Sequence, residues 1–173
     1  MASYLLILGE RQAIAWVLRE QRMAFPATSR SEVAALRPGD DLLIYTTRSA
    51  YRNPTRDRGR VVGSAVVTSQ PRPLEEPVVI AGRTYPTGCD LRLDALADWG
   101  TGVELRSLVS ELSVFPNPAA WSFMLRRSLL RLPANDAAII RSRLAPLAKD
   151  PRSSLEGYMA QDRPPLAQKR MST

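Results

Sequence analysis

Three short apolar runs set the terms on which this chain can fold: SYLLILG (3–9), DLLIYTT (41–47) and RVVGSAVVTSQ (60–70). The first is too short for a helix, the second follows a Pro-Gly-Asp turn, and the third is rich in β-branched residues, so each is expected as a strand. In 41–47 apolar and polar residues do not alternate, which predicts a strand covered on both faces. Gly63 interrupts the third run and points to a bulge or to a close approach of another backbone or a ligand. The single cysteine, Cys89, excludes an internal disulfide and fits a reducing compartment.

Between the first two runs, ERQAIAWVLREQR (10–22) changes to helical spacing, with Ile14, Val17, Leu18 and Gln21 on one face. MAFPATS (23–29) is expected as loop because Pro26 opposes a continued helix. Ser31 resembles an N-cap for the short helical turn EVAAL. RPGD (37–40) is a turn, with proline presetting one backbone angle and glycine supplying a positive one. PVVIAGRTYPTG (77–88) reads as strand, Ala-Gly turn and return. CDLRLDAL (89–96) alternates, placing Cys89, Leu91 and Leu93 on one face. VELRSLVSEL (103–112) reads as a strand end running into a short helix, and PANDAAIIRSRLAPL (133–147) as a closing helix with Pro133 in its first turn. From Lys149 the composition turns to Pro, Arg, Ser and Gln, which predicts a flexible Pro/Arg-rich tail over 149–173 after one domain at 1–148. Strands separated by short helices give an α+β domain built on a small, partly closed mixed β-barrel flanked by those helices.

Charge narrows the partners. Lysine and arginine number 24 against 17 acidic residues, a net of +7, and all the cations except Lys149 and Lys169 are arginine. Residues 48–60 concentrate Arg48, Arg52, Arg56, Arg58 and Arg60 around Tyr51, with Asp57 their only acidic companion. Such a loop suits phosphates, whose neutralisation releases counterions. The competing account is an arginine-rich composition and a solvated loop. With no histidine and one cysteine, a tetrahedral zinc site and every Ser-His-Asp or Cys-His arrangement are excluded, and no metal or cofactor is expected. The apolar runs are too short to span a bilayer, and the first residues lack the basic start of a secretory signal. A cytoplasmic protein with no membrane partner is expected.

In their order along the chain these pieces resemble the PUA-like superfamily, and most closely its EVE-domain branch. Tyr4 and Leu6 fit the opening strand. Ser29, Arg30 and Ser31 fall on the Ala-Arg-Asn segment that precedes the Pro-Gly-Asp turn, here ending in Gly39 and Asp40. Ile44, Tyr45, Thr46 and Thr47 fall on the Phe-Tyr-His-Ser strand end, and Val62, Gly63, Ser64 and Ala65 on the glycine-containing strand. Three positions depart from the pattern: Leu5 stands for Trp, Ser31 for Asn and Thr46 for His.

The resemblance implies kinship with YTH and ASCH domains and a pocket at the barrel mouth that takes one flipped, often modified, base of DNA or RNA. On that reading Ser29, Arg30, Ser31, Tyr45, Thr46, Thr47, Gly63 and Trp16 form the base pocket. Arg48, Arg52, Arg56, Arg58 and Arg60, with Tyr51, hold the phosphates, and no residue is catalytic. Each has a plainer alternative: Ser31 as helix cap, Tyr45 and Trp16 as packing, Arg30 in a surface ion pair. Trp99 and Trp121 stand at loops where they either pack or join a cage. Two other functions stay open. One is an accessory small-molecule or protein-interaction module that kept the fold and lost the base. The other is an ASCH-like hydrolase, opposed by the placing of both lysines at or beyond the end of the domain.

Overall fold

The computed structural model describes residues 1–27, 31–53 and 55–162. The chain opens with β1 (Ser3–Leu8), α1 (Arg11–Glu20), β2 (Arg22–Phe25), α2 (Ser31–Ala35) and β3 (Asp41–Thr46). The arginine-rich loop leads into β4 (Arg60–Val67), followed by the hairpin β5 (Arg72–Ile80) and β6 (Arg83–Ala97). After β7 (Val103–Glu104) come two 3-10 segments, Leu105–Glu111 and Pro118–Leu125. Then follow β8 (Leu129–Leu132), α3 (Ala134–Leu144), β9 (Ala148–Lys149) and α4 (Pro151–Asp162). Among the described residues no helix is long and apolar enough to cross a membrane.

The strands form one sheet in the order β2-β6-β4-β3-β1-β8, with β5 and β9 on β6 and β7 on β4. It curls strongly into an open half-barrel, a mixed α+β architecture of the PUA-like kind. β1 and β3 pair in parallel, Leu6 opposite Ile44 and Leu8 opposite Thr46, while β1–β8, β3–β4 and β4–β6 are antiparallel. Register shifts at Ile44/Tyr45 and at Ser64/Ala65 help the sheet to bend. Gly63 sits beside the second shift, where an added Cβ would meet Ala95 O at 2.7 Å. The close approach anticipated at this glycine is therefore that of the neighbouring strand.

Apolar side chains leave both faces of β1, as the unalternating runs require. Tyr4, Leu6 and Leu8 join one core with Ile14, Leu18 and Phe25, under α1. Leu5 and Ile7 join a second core with Leu43, Tyr45, Leu105 and Ile140, under α3. Leu5, where the resembling family has Trp, is fully buried there. α1 stops at Gln21, whose left-handed backbone (φ 51°) lets its N–H reach Val17 O. The Gln21 side chain then accepts from Leu93 N at 2.9 Å and anchors β6.

Two expectations need correction. Residues 23–25, expected as loop, join Arg22, expected as the end of the helix, in β2 against β6, with Met23 opposite Cys89 and Phe25 opposite Thr87. Part of the expected tail is ordered: β9 pairs with Leu96 and Ala97, and α4 buries Ser154 and Tyr158. Tyr158 Oη donates to Ala97 O at 2.6 Å, and Ser154 Oγ donates to Leu96 O at 3.1 Å. Two well-placed polar groups thus dock a helix whose composition is too polar to announce it. The remainder of the expected tail, 163–173, lies outside the described residues.

Candidate nucleic-acid interface

The parallel pair β1 and β3 ends with Leu8 beside Thr46, and from this edge the chain departs in two directions. After β1 it turns through Gly9 and Glu10 into α1. After β3 it enters the loop that begins at Thr47. The two exits touch, since an added Cβ on Gly9 would lie 3.7 Å from Thr47 Oγ1. That hydroxyl is buried without a hydrogen-bond partner. A hollow lies on each side of this junction.

On the β3 side is a cleft of about 650 Å³. Arg48 and Arg58 of the loop line it, together with Arg106 from the first 3-10 segment and Trp121 from the second. Tyr45 forms part of its floor, and Gly59 lies against the Tyr45 hydroxyl so closely that any Cβ there would collide with it. Burial pushes the Tyr45 pKa up to about 12, so the phenol is neutral at ordinary pH. Glu104 also faces the cleft and pairs with Arg60 at 3.8 Å.

On the β1 side, a pocket of about 260 Å³ opens between α1, β2 and the β5–β6 hairpin. Its walls are mostly apolar and include Trp16, Phe25, Ile80 and Tyr85, with Glu10 and Arg83 as its charged groups. Arg22 sets its guanidinium over the Trp16 ring at 5.6 Å.

A third, smaller cavity of about 150 Å³ lies on the other side of Arg58, which lines both it and the large cleft. Tyr51, Trp99 and Tyr158 wall it, with Thr46 and Asp57 supplying polar groups. Tyr51 meets Trp99 edge-on with ring centroids 5.6 Å apart. Arg56 lies over the Trp99 ring at 5.4 Å and donates from Nε to Asp57 Oδ1 at 2.9 Å. Burial pushes the Tyr51 pKa up to about 12.

The residues anticipated for one barrel mouth are thus divided among three hollows. Tyr45 and Thr47 line the large cleft, Thr46 the small cavity and Trp16 the apolar pocket. Ser31 opens α2 and lines none of the three, and Gly63 backs onto β6. Ser29 and Arg30 lie outside the described residues. Of the loop, Arg48 and Arg58 face the large cleft, while Tyr51, Arg56, Arg58 and Arg60 surround the small cavity. Arg52 occupies a left-handed turn position (φ 59°) and lines neither. Sequence reasoning did not single out Arg106, Asp57, Phe25, Tyr85 or Tyr158. Only Asp57 carried a signal, as the lone acid in an arginine run.

With this geometry in hand, solved structures give the architecture its place. Human THYN1, solved in complex with 5-methylcytosine-containing DNA, is similar over 95% of this chain and 100% of that chain, at 10% identity and TM-score 0.53. The Mmi1 YTH domain, solved in complex with RNA, is similar over 83% of this chain and 77% of that chain, at 11% identity and TM-score 0.56. The fold is that of the EVE and YTH domains. Rpa0253 from Rhodopseudomonas palustris shares this EVE-like fold over 85% of this chain and 95% of its own, at 18% identity and TM-score 0.52. No family model matches the sequence, and no curated protein matches it significantly. At such identities the EVE-like fold is common property, and the contents of the hollows belong to this chain.

Proposed function

We propose that this protein is a non-catalytic reader of nucleic acid. A base turned out of its strand enters the pocket of Trp16, Phe25 and Tyr85, and the adjoining phosphates lie along the cleft of Arg48, Arg58 and Arg106. The observation that carries this reading is the meeting, at the Gly9–Thr47 contact, of an aromatic pocket and an arginine-lined cleft. The two tasks differ physically: guanidiniums hold the backbone without regard to sequence, and a narrow apolar pocket selects the base. Structures of the same fold, THYN1 with 5-methylcytosine-containing DNA and the Mmi1 YTH domain with RNA, support a nucleic-acid partner. Cys89, the one thiol, is buried with its pKa pushed up to about 12, and so offers no thiolate for nucleophilic chemistry at neutral pH.

The test is fluorescence anisotropy with single- and double-stranded oligonucleotides carrying cytosine, 5-methylcytosine or 5-hydroxymethylcytosine, at two salt concentrations. Binding that weakens linearly in log salt is expected, with a modified base distinguished from the plain one by about 1–3 kcal/mol. Trp16→Ala should remove that discrimination and leave the salt dependence. Weak, salt-insensitive responses across the panel would overturn the reading and favour an interaction module that binds no base.

A further inference from the structure

Asp57, which lines the small cavity beside Arg58, carries a carboxylate oxygen with nothing to bond. Asp57 is 7% exposed, and its Oδ1 accepts from Arg56 Nε, but its Oδ2 is buried without a partner. Tyr51, whose buried hydroxyl interacts with the Trp99 indole, lies near it. Both residues line the same cavity of about 150 Å³. Orphaned buried groups are rare in folded proteins and mark places that something else completes. The large cleft, with its three arginines, adjoins across Arg58.

The lining dictates what fits. Asp57 Oδ2 accepts and does not donate, so the occupant must present an N–H or O–H to it. Arg56, Arg58 and Arg60, which surround the cavity, disfavour a cation, and the unpartnered Asp57 oxygen in its wall disfavours an anion set against it. A neutral planar ring satisfies both conditions and meets the faces and edges of Trp99 and Tyr158. The space is smaller than the 260 Å³ pocket, which favours one ring over two. We propose that this cavity is a second base subsite, for a pyrimidine carrying an exocyclic amine, with Asp57 Oδ2 accepting from that amine. Cytosine presents the amine at this edge, whereas thymine and uracil present a carbonyl oxygen there, which would set two acceptors face to face. The proposal rests on the nucleic-acid reading above and adds to it a sequence preference at a neighbouring nucleotide, whose phosphate shares Arg58 with the cleft.

The test measures binding of labelled hexamers of deoxycytidine and thymidine at low salt, to the wild type and to Asp57→Asn. The wild type should prefer the cytosine strand on the order of ten-fold. Asp57→Asn presents an amide that donates to a carbonyl, and should bring the two strands to parity or reverse their order. A hexamer of N4,N4-dimethyldeoxycytidine, which has no amine hydrogen, should bind wild type like the thymidine strand. That arm needs no substitution in the protein and stands even where the variant folds poorly. Equal binding of cytosine and thymidine strands by the wild type, or an undiminished preference in folded Asp57→Asn, would overturn the subsite and leave the general reading intact. Failure of every strand to bind at low salt would overturn both.

Discussion

Removing Arg106 is the sharpest check on the phosphate cleft. Its backbone neighbours in the 3-10 segment, Leu105 and Leu108, are buried in the second core, while the Arg106 side chain is exposed and faces the cleft. Arg106→Ala therefore takes away a guanidinium without disturbing packing. Each phosphate contact on a single strand contributes about 0.7 to the slope of log affinity against log salt, so three arginines give a slope of about −2.1. Between about 50 mM and about 200 mM salt, the wild type should then lose about twenty-fold in affinity and Arg106→Ala about seven-fold. Anisotropy titrations of a labelled single strand at several salt concentrations read these slopes directly. Arg152→Ala is the matched control, since its side chain is 91% exposed on α4 and removes the same charge away from the cleft. A slope in Arg106→Ala equal to that of wild type, or an equal drop in Arg152→Ala, would refute the cleft as the phosphate track.

Three further outcomes follow from the fold. Asp136 is 2% exposed and accepts from Ser113 N, Ser113 Oγ and Val114 N, so Asp136→Ala takes away three charge-assisted hydrogen bonds and should cost about 1.5–3 kcal/mol in urea unfolding; a loss under about 0.5 kcal/mol would contradict this anchoring. Gly63→Ala drives a Cβ into the Ala95 carbonyl and should lose about 1–3 kcal/mol of stability, with the affinity of the folded fraction for oligonucleotides unchanged. Burial raises Cys89 from its ordinary 9.0, and Tyr45 and Tyr51 from 10.0, each to about 12. The unfolded chain therefore releases these protons first, so stability is whole below pH 9 and falls as pH rises from there toward 12; guanidinium unfolding that is flat across this range would contradict the burial of all three.

What the sequence discloses and what it hides follow from how locally each feature is encoded. β1, β3 and β4 are dense apolar runs, and α1 carries its own apolar stripe, so each could be read in isolation. β2 is only four residues long and owes its existence to β6, against which Arg22 faces Asp90. β6 runs unbroken through Pro86 and Gly88, where the sequence suggests two pieces. Gly88 lets β2 lie close against this stretch, because a Cβ there would lie 2.5 Å from Met23 O. The same holds for the site. Clustered arginines show in the sequence, but which of them face which hollow depends on turns such as the left-handed one at Arg52. The pocket walls come from α1, β2 and β6, far apart along the chain, and no local pattern joins Trp16 to Phe25 and Tyr85.

The docking of α4 has a practical reach. Tyr158 is both the hook that fastens this helix to Ala97 and a wall of the small cavity beside Asp57. Whatever grips, trims or extends the molecule near residue 150 therefore pulls on the lining of that cavity from behind. A truncation ahead of Pro151, chosen to tidy a polar end, would delete one wall of that cavity along with it.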